Sequence, residues 1–257
     1  MFVNTFLFVF GAIIGSFLNV LIYRLPREES IIYPPSHCPH CKKNIKWHDN
    51  IPIFSYFILL GRCRSCKSPI SIRYPVVETM TGILFVLINT LLGFGIWDLG
   101  FYFSAFFVSA MIVAIFADYE SEIIPDEIIF AGIPLALIFH FFSGNIIASV
   151  FGCAMGYSLL FLISASGKFI FKKEALGYGD VKLAALMGAW LTIDRLFLAL
   201  FLGYFIGAAW ALLLLIFKIK KRGDYIPFGP ALSFGALLTL FFGREIINYY
   251  LAYFIQP

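Results

Sequence analysis

Charge is scarce in this chain. Only 13% of its 257 residues are Asp, Glu, Lys or Arg, against 61% hydrophobic. A soluble domain of this length needs more charged surface than that. Apolar runs of about 18 or more residues recur along it, the pattern of a polytopic helical membrane protein. Inside a bilayer each span must satisfy its own backbone polar groups, so helices are expected and open sheets are excluded. No basic residue precedes the first apolar run, Phe2–Tyr23, and Arg24 and Arg27 follow it. That order is the reverse of a cleavable secretory signal and predicts a retained helix with its N-terminus outside the cytoplasm. The basic residues flank apolar runs and form no single basic face, which argues against nucleic acid as a partner. No low-complexity tract, no internal repeat and no Rossmann-type glycine motif is evident.

What is present reads as about eight apolar spans: Phe2–Tyr23, Pro75–Ile96, Leu99–Phe116, Ile123–Phe142, Ile146–Gly167, Lys182–Leu191, Phe197–Phe217 and Pro227–Phe254. The sixth is short, and Asp194-Arg195 reads as a tight turn after it. The expected organisation is a first transmembrane helix over 1–23, a cytoplasmic loop over 24–74, and a seven-helix membrane core over 75–257. Charge placement supports this count. With the first loop in the cytoplasm, alternation puts 117–122, 168–181 and 218–226 there too. Only Arg195 and Arg244 of the 19 Lys+Arg then fall on the opposite side, as the positive-inside rule requires. The same alternation brings Asp118 and Asp180 to one face of the lipid bilayer.

Cysteine is sparse, five in all, and four of them cluster in the polar loop. Cys38, Cys41, Cys63 and Cys66 form C-x2-C-x21-C-x2-C, two knuckles that together offer a tetrahedral set of thiolates. In a reducing compartment such thiols bind metal rather than pair as disulfides. Four cysteines fill the coordination shell, so a structural zinc is expected, stapling a loop too small to build its own core. His40 is an alternative ligand, and disulfides remain an alternative to metal. Cys153 lies within an apolar span and reads as packing.

Carboxylates at the mouths of membrane helices are costly and point to function. Asp118 ends one apolar run, and Gly177-Tyr178-Gly179-Asp180 opens another. Three readings stand. The two acids form an aspartic protease pair, one taking a proton from water while the other polarises the scissile carbonyl. Alternatively they relay protons in a transporter. In the third, Asp180 is a helix N-cap, and Asp118, Glu120, Glu122, Asp126 and Glu127 are a solvated interfacial cluster. Gly177 and Gly179 offer backbone freedom and close approach to a substrate. Asp126 competes with Asp118 for the first position, eight residues further on and about two helical turns away.

Motifs along nearly the whole chain resemble those of the type IV prepilin peptidases, membrane aspartic proteases with a G-x-G-D motif. They are Gly15-Ser16-Phe17-Leu18-Asn19-Val20 with Tyr23-Arg24-Leu25-Pro26; the four cysteines; Asn50-Ile51-Pro52, Gly61-Arg62-Cys63 and Arg73-Tyr74-Pro75-Val76-Val77-Glu78; Asp118 with Ile124-Pro125-Asp126; Gly177-Tyr178-Gly179-Asp180-Val181-Lys182-Leu183; and Pro227-Phe228-Gly229-Pro230. The resemblance implies that Asp118 and Asp180 are the catalytic pair, with Gly177, Tyr178 and Gly179 as the active-site loop. Asp126, Lys182 and Glu78 are lesser candidates. It implies cleavage of a basic leader after a glycine, at the cytoplasmic face of the bacterial inner membrane. The substrates implied are type IV prepilins and type II secretion pseudopilins. N-methylation of the new N-terminus with S-adenosylmethionine is implied by the same resemblance. A non-catalytic scaffold for pilus assembly is the further alternative.

Overall fold

The computed structural model describes residues 2–171, 176–221 and 226–254. Lys172, Lys173 and Arg222, which the charge count places on the cytoplasmic side, lie outside the described residues. Among the described residues the chain is helical and has no strand, only the isolated bridges His37–Asn44 and Arg62–Pro69. It divides into two compact units, Met1–Val113 and Ala114–Pro257.

In the first unit α1 (Phe2–Arg24) packs on α3 (Arg73–Leu91). Their backbones meet because α1 carries Gly11 and Gly15 one turn apart. A Cβ on Gly11 would lie 2.8 Å from Gly82 Cα, and one on Gly15 2.7 Å from Glu78 Cα. Small residues at this spacing let membrane helices approach closely. Polar clasps finish the contact. Asn19 Nδ2 donates to Tyr74 O at 3.2 Å, and Arg73 Nε donates to Asn19 Oδ1 at 3.2 Å. Arg24 is buried and donates to Ser30 O and Pro34 O, both at 2.7 Å. Asn19 and Arg24 therefore anchor the C-terminal end of α1, where the polar loop begins. Between the two helices the chain forms a 3-10 turn, Trp47–Asp49, and a short helix α2, Phe54–Ile58.

The second unit contains the end of α4 (Leu99–Ser121), then α5 (Asp126–Phe142), α6 (Ile146–Phe171), α7 (Tyr178–Ile216) and α8 (Gly229–Phe254). Its centre is the start of α7, where Val181 and every residue from Leu183 to Leu191 are buried. A helix that is apolar all round belongs inside a bundle. Gly152 and Gly156 of α6 press on the carbonyls of Gly188 and Ala184, and Gly235 of α8 on Ala199 and Gly203.

α7 breaks once, at Thr192 (φ 60, ψ 172). The expected sixth and seventh spans are thus two helices that meet at Thr192, the two limbs of α7, and the break falls two residues before the expected turn at Asp194-Arg195. Residues at the end of the first limb lose the amides that an unbroken helix would supply four positions on. Two side chains stand in for them. Ser149 Oγ donates to Ala189 O at 2.6 Å, and His140 Nε2 lies 3.1 Å from Trp190 O. A carbonyl can only accept, so His140 carries its proton on Nε2.

Among the described residues six helices are long and apolar enough to cross a membrane. Counting the shorter α5 and both limbs of α7 brings the described residues to eight apolar segments, in line with the approximate count read from sequence.

Candidate active site and metal centre

Asp118 lies in the last turn of α4. The chain then reverses through Glu122 (φ 56) and Pro125, which occupies the N-cap of α5, so Asp118 and Asp126 do not share one helix. Asp180 lies in the first turn of α7, and its N–H bonds to Gly177 O at 3.1 Å. Gly177, not Asp180, holds the N-cap position, and no side chain caps that end. Tyr178 and Gly179 belong to this first helical turn rather than to a loop. Neither Gly177 nor Gly179 has positive φ, so the expected backbone freedom is not used. A Cβ on Gly179 would touch Ile124 at an ordinary 3.4 Å.

Both carboxylates are 3% exposed, and they lie close enough for their charges to interact. Their surroundings differ. Asp118 Oδ2 accepts the N–H of Gly229, at the start of α8, at 2.9 Å. Asp180 Oδ1 is buried with no hydrogen-bond partner among the described residues. Buried carboxylate oxygens are nearly always paired, so an orphan in this place is an acceptor aimed at something other than the fold. Ile124 backs the site, packing against Gly179 and Gly229.

Asp126 stands differently. Both of its oxygens accept from Lys182 Nζ, at 2.6 and 2.7 Å, and that ammonium also lies 4.9 Å from the centre of the Tyr178 ring. A half-exposed carboxylate already matched by a lysine is poorly suited to share a proton with a second acid. Two nearby residues escaped the sequence reading. Gly229 was visible only as part of a motif, because a backbone donor has no sequence signal. Tyr204, on the second limb of α7, lies within electrostatic reach of Asp180 and packs on Phe228 with centroids 4.9 Å apart.

In the first unit the four sulfurs of Cys38, Cys41, Cys63 and Cys66 lie within 4.8 Å of one another. Cys38 Sγ and Cys66 Sγ are 3.8 Å apart. A tetrahedral zinc with bonds of about 2.3 Å needs sulfurs roughly 3.8 Å apart, so this donor set fits the ion. A disulfide needs about 2.05 Å. The two knuckles are copies of one another. Lys42 N donates to Cys38 O and Lys67 N to Cys63 O; Cys38 N donates to Lys43 O and Cys63 N to Ser68 O. Lys42 and Lys67 share a left-handed φ of 58° and 59°. Each bond recurs 25 positions later, and so does the pattern Cys-x2-Cys-Lys-x2-Ile, Cys38 to Ile45 and Cys63 to Ile70. This short internal repeat corrects the expectation that there is none; two single knuckles are too short for composition to reveal. Burial raises the Cys38 thiol, but the amides of Cys41 and His40 and the Ser68 hydroxyl outweigh it and hold it down to about 6. Against the Lys43 amide, burial and the neighbouring thiols push Cys41 the other way, up to about 11, because four thiols packed this closely cannot all lose their protons without a cation among them. Arg64 grips Asp49 with both Nε and Nη2 and holds its carboxyl below the usual range, tying the second knuckle to the turn Trp47–Asp49.

Glu78 also gains a place. Its Oε2 accepts the N–H of Ile53 at 2.6 Å. Ile53 has φ 64 and ψ −56, and Phe54 N donates to Pro52 O at 2.6 Å, so Pro52-Ile53-Phe54 is a tight γ-turn of the strained hand.

These features define a multi-pass helical membrane protein with two buried carboxylates brought together in one unit and a four-cysteine centre in the other. Residues 105–212 match the model of the type IV leader peptidase family, and residues 9–92 that of the bacterial peptidase A24 N-terminal domain. The chain is 34% identical to a prepilin leader peptidase/N-methyltransferase of Aeromonas hydrophila, over 96% of this chain and 93% of that one. It is 35% identical to the protein so named in Legionella pneumophila, over 96% and 94%, and 36% identical to that of Neisseria gonorrhoeae, over 88% and 85%. No solved structure matches the chain. The chain belongs to the type IV leader peptidase family. That membership does not favour the transporter and scaffold readings.

Proposed function

We propose that this chain is an aspartic endopeptidase of the bacterial inner membrane that removes the basic leader of type IV prepilins or type II secretion pseudopilins. The cut follows a glycine on the cytoplasmic side, where the zinc loop also lies. The carrying observation is the meeting of two buried carboxylates, Asp118 held by the Gly229 amide and Asp180 with an unpartnered oxygen. Asp118 and Asp180 share one proton. The ionised member takes a proton from water as that water attacks the scissile carbonyl carbon. The protonated member donates to the carbonyl oxygen. As the tetrahedral adduct collapses, the acid that took water's proton passes it to the leaving nitrogen, and the other recovers a proton from the adduct's hydroxyl. This releases leader and mature chain and restores the shared proton. Gly177, Tyr178 and Gly179 line the approach of the peptide, and Gly179 presents backbone without a side chain. Lys182 and Asp126 brace the turn that carries Asp180. Glu78 acts in the loop rather than in the reaction.

Cys38, Cys41, Cys63 and Cys66 hold a structural zinc. Their four thiolates complete its shell, and the ion supplies the loop with a core. Methylation of the new N-terminus with S-adenosylmethionine as donor is supported by the names that the relatives carry; no residue here is assigned to that donor.

The test is the intact mass of a purified prepilin after incubation with the detergent-solubilised chain, with and without S-adenosylmethionine. Loss of the leader alone, and one added methyl when the donor is present, is the expected result. An unchanged mass with a folded enzyme and several prepilins overturns the reading.

A further inference from the structure

The loop helix α2 shows water an apolar face. Phe54, Phe57 and Ile58 are 68%, 64% and 69% exposed, and their i, i+3, i+4 spacing puts them on one side of the turn. Leu60, just beyond, is 85% exposed, and Trp47 of the neighbouring 3-10 turn 82%. A contiguous group of large apolar side chains is a contact surface by default.

The opposite side of α2 is tied down. Ser55 is buried and donates from Oγ to His48 O at 3.1 Å. Ile53 is held by the Glu78 carboxylate in its strained γ-turn. Strain of this kind persists only where the surroundings enforce it. The anchors thus hold the apolar face outward, against the cost of wetting it.

Charge says what covers it. Between 24 and 74 the chain has Arg24, Arg27, Lys42, Lys43, Lys46, Arg62, Arg64, Lys67 and Arg73 against only Glu28, Glu29 and Asp49. With Arg24 and Arg73 buried and Arg64 paired to Asp49, Arg27, Lys42, Lys43, Lys46, Arg62 and Lys67 still outnumber the two glutamates and the net −2 of a zinc held by four thiolates. Lys46 and Arg62 flank the apolar residues and are exposed. Both ends of the loop run into helices long and apolar enough to cross the membrane, Phe2–Arg27 and Arg73–Leu91, so the loop starts and finishes at the bilayer surface. Aromatic and aliphatic side chains ringed by Lys and Arg are the composition of an interfacial membrane contact. A basic leader would be repelled by the same charges.

We infer that the Phe54–Leu60 face of the loop rests on anionic phospholipid, its apolar side chains among the upper acyl chains and Lys46 and Arg62 against the headgroup phosphates. The contact holds the metal centre at a fixed height over the bilayer. The inference does not depend on the proposed reaction.

Hydrogen exchange of the full-length chain in nanodiscs tests it, comparing phosphatidylglycerol with phosphatidylcholine bilayers. Amides 53–62 should exchange at least about threefold more slowly in the anionic bilayer. The difference should vanish at about 0.5 M salt, where the screening length falls below roughly 5 Å. It should also vanish in Phe57→Ser/Leu60→Ser and in Lys46→Glu/Arg62→Glu, with exchange at 76–88 unchanged as the sign of an intact fold. Equal exchange in the two bilayers, fast or slow, overturns the inference. So does a difference that survives both double variants. The first comparison uses the unaltered chain and decides the matter even where a variant fails to fold.

Discussion

The amide of Gly229 donates to Asp118 Oδ2 at 2.9 Å, joining residues 111 positions apart. A Cβ on Gly229 would lie 2.7 Å from that same oxygen and 3.0 Å from Ile124 Cδ1. Gly229→Ala must therefore push the carboxylate aside. A displacement of about 1 Å at a catalytic group costs roughly 10²-fold in rate. Prepilin cleavage by Gly229→Ala should fall by about 10- to 100-fold with the protein still in the membrane and prepilin still bound. Cleavage at the unaltered rate would show that Asp118 does not act from this position.

The three acids should separate by function. Asp118→Asn and Asp180→Asn each remove a proton-transfer group, a loss on the order of 10³-fold. Asp126→Asn breaks a half-exposed ion pair with Lys182, worth about 0–1 kcal/mol, and should lower cleavage less than about tenfold. Normal processing by Asp180→Asn, or a dead Asp126→Asn beside an active Asp118→Asn, would reverse the assignment. Single-turnover cleavage of one prepilin by the three variants makes the comparison.

The metal centre should be structural. Cys38→Ser with Cys41→Ser should abolish bound zinc, measured by elemental analysis, and render the loop sensitive to protease. Cys153→Ser should leave the metal in place. Chelators should leave cleavage intact over the first turnovers, because a four-thiolate shell has no open position. Immediate loss of cleavage that added zinc restores would place the ion in the reaction instead.

The break at Thr192 makes a stability prediction. Ser149→Ala leaves the buried Ala189 carbonyl without its 2.6 Å donor, a cost of about 1–3 kcal/mol. Ser158 bonds back to Ala154 O on its own exposed helix turn, so Ser158→Ala should change stability by no more than about 0.5 kcal/mol. Thermal unfolding in detergent compares the two. Equal effects would mean that Ser149 does not support the break.

Gly179 separates close approach from folding. Its Cβ position is open at 3.4 Å, so Gly179→Ala should fold and unfold like the parent. If the peptide lies against this backbone, kcat/KM for cleavage should still drop by about tenfold or more. Unchanged kinetics would remove Gly179 from the substrate path.

Much was legible in the chain itself. Membrane spans announce themselves because lipid allows only long apolar helices, and the break in α7 shows as a short sixth run ending near Thr192. The four cysteines were legible because a knuckle is a local object with fixed spacing. The repeat of that knuckle was missed because it is only a few residues long. The role of Asp126 was not legible, since Lys182 lies 56 positions away. Glu78 matched a motif with no chemistry attached until its carboxylate was found on Ile53 N.

An all-helical membrane chain, a four-thiol centre in a basic loop, and the small set of acids from which a reactive pair is drawn can all be read along the chain. Each follows from local composition, since transfer into lipid and knuckle spacing act over one or two turns of chain. Helix packing alone sets which acids are buried together, which one a lysine already occupies, and that the Gly229 amide of α8 and Tyr204 join their surroundings. Those are long-range matters. A hydrogen bond or a charge interaction depends on separation in space, and no pattern along the chain records which helix ends will meet.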